Sequence, residues 1–302
     1  MPQQAPHDPA KGYPAWSARK EGDFLVMPKS MQLSGAAWSF VGATLQESVG
    51  VYRTLGISAV DLIASPGTTL DSQAVIQNPT KEGKRINGLK VQVANLIFNF
   101  SSSFSERAIN HRDPTIRSGN LKEFDAVAEF CQRSSIPSVT ILPGVFQKGW
   151  SRKKSLAVSA EMLNELAQIA ARRGIIVAFE AHVGSILESP KDTLDFLQAN
   201  PQLRLTLDYS HFVFNRHSQK DIDPLIAYAA HIHLRQGATR ALQSRWANGV
   251  IDFSALLHKL KAARYKGYLG IEYEHDAWLD LDRVDVMTET IKMRNLVRSV
   301  IA

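Results

Sequence analysis

Residues 175–182 read Ile175-Ile176-Val177-Ala178-Phe179-Glu180-Ala181-His182: five apolar residues, then a carboxylate, then an imidazole two positions on. A run this short and this continuous predicts a parallel strand buried on both faces, with Glu180 at its C-terminal end. The arrangement recurs downstream. Residues 203–208 (LRLTLD) end in Asp208 with His211 three positions further, residues 231–235 (HIHLR) hold His231 and His233, and residues 268–274 (YLGIEYE) hold Glu272 and Glu274 with His275 next. Toward the N-terminus, residues 32–38 (QLSGAAW), 59–64 (AVDLIA), 89–97 and 138–142 (SVTIL) read as strands too. Helical stripes lie between them at 45–55, 120–134, 156–173, 189–198, 221–230, 252–264 and 284–301; only the stretch after the second strand is vague.

Strands that alternate with helices imply parallel βαβ units, and eight of them in about 270 residues predict a closed (β/α)₈ barrel, a single α/β domain over 31–302. Its reactive groups belong at the C-terminal ends of the strands. An open doubly wound sheet would announce a nucleotide with G-x-G-x-x-G after the first strand, and Trp38-Ser39-Phe40-Val41-Gly42 lacks that spacing. No P-loop, H-E-x-x-H or G-x-S-x-G occurs.

The composition agrees with one large globular domain. The chain has 302 residues, 44% hydrophobic and 21% charged, enough for a sizeable core. Its single cysteine, Cys131, excludes a disulfide framework and a Cys-rich zinc site. The net charge of +6 comes from scattered groups such as Arg152-Lys153-Lys154 and Arg172-Arg173, without interleaved aromatics, so a nucleic-acid surface is not expected. No apolar run reaches membrane-spanning length, and the polar, Pro-rich start lacks the pattern of a signal peptide; a cytoplasmic enzyme is the expectation. Residues 1–30 read as an extension that either closes the barrel bottom or mediates subunit contact, with another copy or with a different subunit.

Four successive strands thus deliver acids or imidazoles to one rim. Each group follows apolar strand residues, and charged side chains are rarely buried unpaired. A divalent cation answers that problem. An oxygen-rich set with one imidazole suits Mn²⁺, Mg²⁺ or Co²⁺ better than structural Zn²⁺, with Mn²⁺ the first expectation.

The spacings Glu180-x-His182, Asp208-x-x-His211, His231-x-His233 and Gly270-Ile271-Glu272, the last preceded by Tyr265-Lys266-Gly267-Tyr268, resemble the xylose-isomerase-like superfamily of sugar isomerases and epimerases. That group is similar to D-tagatose/D-psicose 3-epimerases, hydroxypyruvate isomerase and inosose dehydratase, and distantly to endonuclease IV. The resemblance covers residues 32–298 and is specific from 174 onward. It implies metal ligation by Glu180, Asp208, His233 and Glu272, a second role for Glu180 and Glu272 as acid and base, and substrate contacts from His182 and His211. His231 lies on the same strand face as His233, so it either reaches the pocket at another height or orients His233. Arg235 stands beside Gln236, where the family commonly has an acidic residue. Arg240 and Arg245 occupy the following loop, where sugar-acting relatives place an arginine for a substrate oxygen or phosphate.

Such a site takes a proton from carbon next to a carbonyl in a small sugar or keto-sugar, with the metal stabilising the enediolate and two carboxylates acting as base and acid. The alternative is a lyase, a dehydratase or an enzyme eliminating from a 3-keto sugar or glycoside, with His211 or His182 assisting the leaving group. An endonuclease IV-like nuclease would need further metal ligands, and His111, His217 and His258 fall outside the rim pattern. A non-enzymatic binding barrel has no reason to align these groups.

Overall fold

The computed structural model describes residues 28–301; the expected extension lies outside the described residues except for its last three. Eight parallel strands close in sequence order: β1 (Gln32–Ala36), β2 (Ala59–Ala64), β3 (Gln92–Phe98), β4 (Ser138–Ile141), β5 (Ile176–Glu180), β6 (Arg204–Asp208), β7 (Ala229–Leu234) and β8 (Tyr268–Ile271). The long helices α1 (Leu45–Thr54), α3 (Pro79–Gly88), α4 (Pro114–Arg133), α5 (Arg152–Ala171), α6 (Pro190–Ala199), α9 (Phe253–Ala262) and α10 (Val286–Ile301) follow the strands, so the chain is a single (β/α)₈ barrel. No described helix is long and apolar enough to cross a membrane.

The vague second connection is two short helices, α2 (Ser72–Gln77) and α3, separated by Asn78, whose side chain caps α3 ahead of Pro79. After β6 the predicted helix over 221–230 is replaced by α7 (Tyr209–Phe214), α8 (Gln219–Ile222) and a 3₁₀ turn at Asp223–Tyr228. The six residues of α7 are all buried, so it has no polar face for periodicity to reveal. β8 stops at Ile271, although the Glu272 amide still donates to the Leu234 carbonyl at 3.1 Å.

The main apolar core lies between strands and helices and includes Leu62, Phe98, Phe124, Phe179, Leu207, Leu257 and Met293. The barrel interior is polar instead. Ser34 Oγ donates to Asp61 Oδ2 at 3.0 Å, and His231 Nε2 lies 3.1 Å from the same oxygen. Across the barrel, Ser138 donates to Asn95, the Asn95 amide donates to Thr140, and Thr140 meets Thr206 at 2.6 Å. Short hydroxyl and amide groups fit this narrow space only because they satisfy one another.

Gly270 makes room for that interior. A Cβ there would stand 2.1 Å from Asp61 Oδ2 and 3.0 Å from His231 Nε2. Gly270→Ala is therefore expected to destabilise the barrel by about 1–3 kcal/mol, the usual cost of overpacking, read as a lower midpoint in urea. A wild-type midpoint would show that the Asp61–His231 pair does not constrain β8.

Candidate metal centre

Glu180, Asp208 and His233 close or nearly close β5, β6 and β7, and Glu272 follows β8 directly. The four side chains are buried, and one ligand atom from each falls within 4.8 Å of all the others. Barrel closure makes the meeting inevitable: neighbouring parallel strands carry their last residues to the same rim, and the register pairs Asp208 with His233 and His233 with Gly270.

The arrangement fits a cation because a single proton cannot serve it. His233 Nδ1 bonds Glu180 Oε1 at 2.9 Å and also lies 3.2 Å from Glu272 Oε2, which is left without a hydrogen bond. The imidazole proton points along one direction, whereas a metal ion attracts every donor around it. Burial opposes charge on His233, yet Glu272 and Glu180 together hold the ring well above the ordinary imidazole range. Protonated His233 thus sets one positive charge against the carboxylates, half of what a divalent ion would bring.

Arg235 is the second cation. Its guanidinium is buried and reaches Asp208 Oδ2 through Nε at 3.0 Å and Nη2 at 2.9 Å, Ser210 Oγ at 3.0 Å and Glu274 Oε1 at 2.7 Å. Burial disfavours its charge, but Glu272, Asp208 and Glu274 outweigh that and keep it protonated. The other oxygen of Asp208 caps α7, accepting from the Ser210 amide at 2.7 Å. Burial and the neighbouring Glu272 charge raise the Glu274 carboxyl to about 7, partly offset by Arg235.

His182 and His211 stand beside this centre with ring centroids 4.1 Å apart. His182 Nδ1 lies 2.7 Å from the Val183 carbonyl, which makes Nδ1 the donor and leaves Nε2 as an acceptor. His211 Nδ1 lies 3.1 Å from the Val183 amide and its Nε2 lies 3.1 Å from Arg235 Nη2; both neighbours are donors, so a neutral ring, with one lone pair, accepts from only one of them. Burial holds both rings below the ordinary imidazole range, His211 the further, with His182 and Arg235 adding to the effect on His211.

The remaining expected residues sit apart. His231 turns into the barrel toward Asp61, with its ring 5.0 Å from that of His233 and edge-on to it. Arg240 is exposed and lies over the Phe214 ring at 5.7 Å. The Gln236 amide faces the Ile251 peptide, giving a hydrogen bond at 2.8 Å and accepting one at 3.2 Å, so the negative charge beside Arg235 comes from Glu274 instead. Asp61 escaped notice in the sequence, although a lone Asp inside the apolar run AVDLIA was its signal. Phe104 and Trp278, whose rings lie 5.1 and 5.5 Å from that of His182, had no signal at all.

Comparison with known proteins identifies the family and the fold. Inosose dehydratase from Histophilus somni is 25% identical over 164 residues, which are 47% of this chain and 54% of the relative. The chain thus spans about half the length of the first curated relatives it matches. Among solved structures, D-psicose 3-epimerase with D-tagatose from Clostridium cellulolyticum superposes with a TM-score of 0.70 at 15% identity, covering 90% of this chain and 99% of that one. The IOLI protein with a zinc atom gives 0.68 at 16% identity, covering 89% and 99%. The family model described as xylose isomerase-like TIM barrel matches residues 51–295, and the chain belongs to that family.

Proposed function

We propose that this chain is a divalent-metal-dependent isomerase or epimerase that moves a proton on the carbon next to the carbonyl of a small keto-sugar or keto-inositol. The observation that carries the reading is the pair of carboxylates, Glu180 from β5 and Glu272 after β8, that face one buried point marked by His233 Nδ1 at 2.9 and 3.2 Å. Glu180, Asp208, His233 and Glu272 would hold the ion, with Mn²⁺ first and Mg²⁺ or Co²⁺ equally suited in chemistry; the zinc of the IOLI protein supports a divalent ion in this fold. When bound, it would polarise the carbonyl and stabilise the negative charge that develops on its oxygen.

The chain's own groups do the rest. Glu180 and Glu272 both reach the same buried point, one placed to take the proton and the other to return it. His182 offers a lone pair at Nε2 to a substrate hydroxyl. Arg235 adds a fixed donor beside His211 at 3.1 Å.

A lyase is the second reading, and two observations favour it. Curated relatives are inosose dehydratases, and His211 stands buried beside the carboxylates, 3.6 Å from Asp208 Oδ2, where an imidazole would relay a proton to a departing hydroxyl.

Three outcomes test these readings. Chelator-stripped protein titrated with Mn²⁺ in a calorimeter is expected to bind one ion, and Asp208→Ala to lose that heat; silent titration of the unaltered protein would sink the metal reading. Glu272→Gln keeps one oxygen donor but cannot carry a proton, so turnover is expected to fall about 10²–10⁴-fold, and near-normal turnover would remove Glu272 from the proton path. In D₂O an isomerase returns product with deuterium at the reacting carbon and every heavy atom retained. Loss of water from an inosose, abolished in His211→Ala while α-proton exchange persists, would establish the lyase instead.

A further inference from the structure

Five large apolar side chains are exposed among the described residues: Val41, Phe104, Phe146, Val250 and Trp278. All five lie in loops that leave the C-terminal ends of strands, on the face that carries the metal centre. Exposed apolar groups are ordinary when scattered; gathered on one face, they mark a surface that meets something apolar.

Two of them are continuous with the site itself. Trp278, after β8, stacks on His182 with 14° between the rings and centroids 5.5 Å apart. Phe104, after β3, meets the same imidazole edge-on at 5.1 Å and lies 6.5 Å from Trp278. Both remain exposed, Phe104 at 40% and Trp278 at 42%, so their outer surfaces are open to a ligand. Phe104 also lines an open cleft with Phe100, Arg107, Leu142, Val145 and Ser185. This wall is largely apolar, whereas the sugar end beside it holds carboxylates, imidazoles and a guanidinium.

The placement of Trp278 is built, not incidental. Leu279 and Asp280, which follow it, both adopt left-handed φ values of 52° and 59°. Such positions cost free energy for residues with side chains and persist where the surroundings impose them. The surroundings are present: the Gln243 amide donates to the carbonyls of Glu274 and Leu281, and accepts from the Glu274 amide, stapling both ends of the loop. Leu281 is buried against Phe214 and Leu242.

We propose that the substrate is a keto-glycoside with a planar aromatic aglycone, its oxidised sugar at the metal centre and its aglycone against Phe104 and Trp278 at the mouth of the cleft. A free monosaccharide leaves that wall wetted; an aryl group covers it and stacks in the offset or edge-on manner that aromatic rings prefer. The proposal rests on the metal-centre reading for the sugar end only. A protein partner is the rival occupant, but a subunit contact has no need of rings packed on the imidazole of the site.

The test compares phenyl with methyl 3-keto-β-D-glucopyranoside, binding to the Mn²⁺-loaded full chain by calorimetry, so that the aglycone is the sole difference. Phenyl is expected to bind about tenfold more tightly, and the ratio to shrink below about threefold in Phe104→Ala and Trp278→Ala but to persist in Trp278→Phe. Equal affinities, no binding of either glucoside, or a ratio unchanged in the alanine variants would overturn the aglycone subsite. Any of these with self-association that Trp278→Ala abolishes in sedimentation would assign the apolar face to a subunit contact. Proton exchange on an inosose in D₂O, run in parallel, reports on the metal centre separately: exchange without a phenyl preference sinks only the subsite, and a phenyl preference without exchange sinks only the proton-transfer chemistry.

Discussion

Three carboxylates, Glu180, Asp208 and Glu272, are buried together at the rim of the barrel, and the rest of the site answers to their charge. Ionised carboxylates removed from water are costly unless compensated on the spot. His233 and Arg235 supply that compensation within hydrogen-bonding distance, His233 by holding its proton and Arg235 by bridging Asp208 to Glu274. The two cations differ in what they can yield. An imidazole gives up its proton to a competing ion and becomes a ligand, whereas a guanidinium stays charged and can only be moved. The centre therefore has one exchangeable positive charge, on His233, and one permanent charge, on Arg235. A divalent ion held at this point would displace the His233 proton.

The barrel below is organised by the same need. Asp61 lies fully buried in the interior with one oxygen shared by Ser34 and His231. Its partner His231 is two residues from the candidate ligand His233, so the two layers are tied through one strand. Gly270 opposes them from β8, and its missing side chain lets a carboxylate and an imidazole fit where most barrels place branched apolar residues.

The strands were legible in the sequence because short runs rich in apolar residues alternate with helical stripes, and 59–64, 138–142, 175–180 and 203–208 each match an observed strand to within a residue. The rim acids were legible for the same reason, as the charged residue that interrupts such a run. What the sequence hid is what depends on closure. Asp61 and His231 are 170 positions apart and meet only because β2 and β7 face one another across the interior. The helix α7 carries no polar face, and Gln236 turns from the site to Ile251, a choice fixed by loop geometry and not by residue type. Trp278 reaches His182 through two left-handed residues that no propensity would place there.

The candidate ligands come from β5, β6 and β7 and from the residue that follows β8, while the cleft beside them is walled mainly by loops after β3 and β4. The two sets of atoms are held by different strands. An insertion in the loops after β3 or β4 would reshape the cleft, whereas the register of β5 to β8 would keep the rim acids in place.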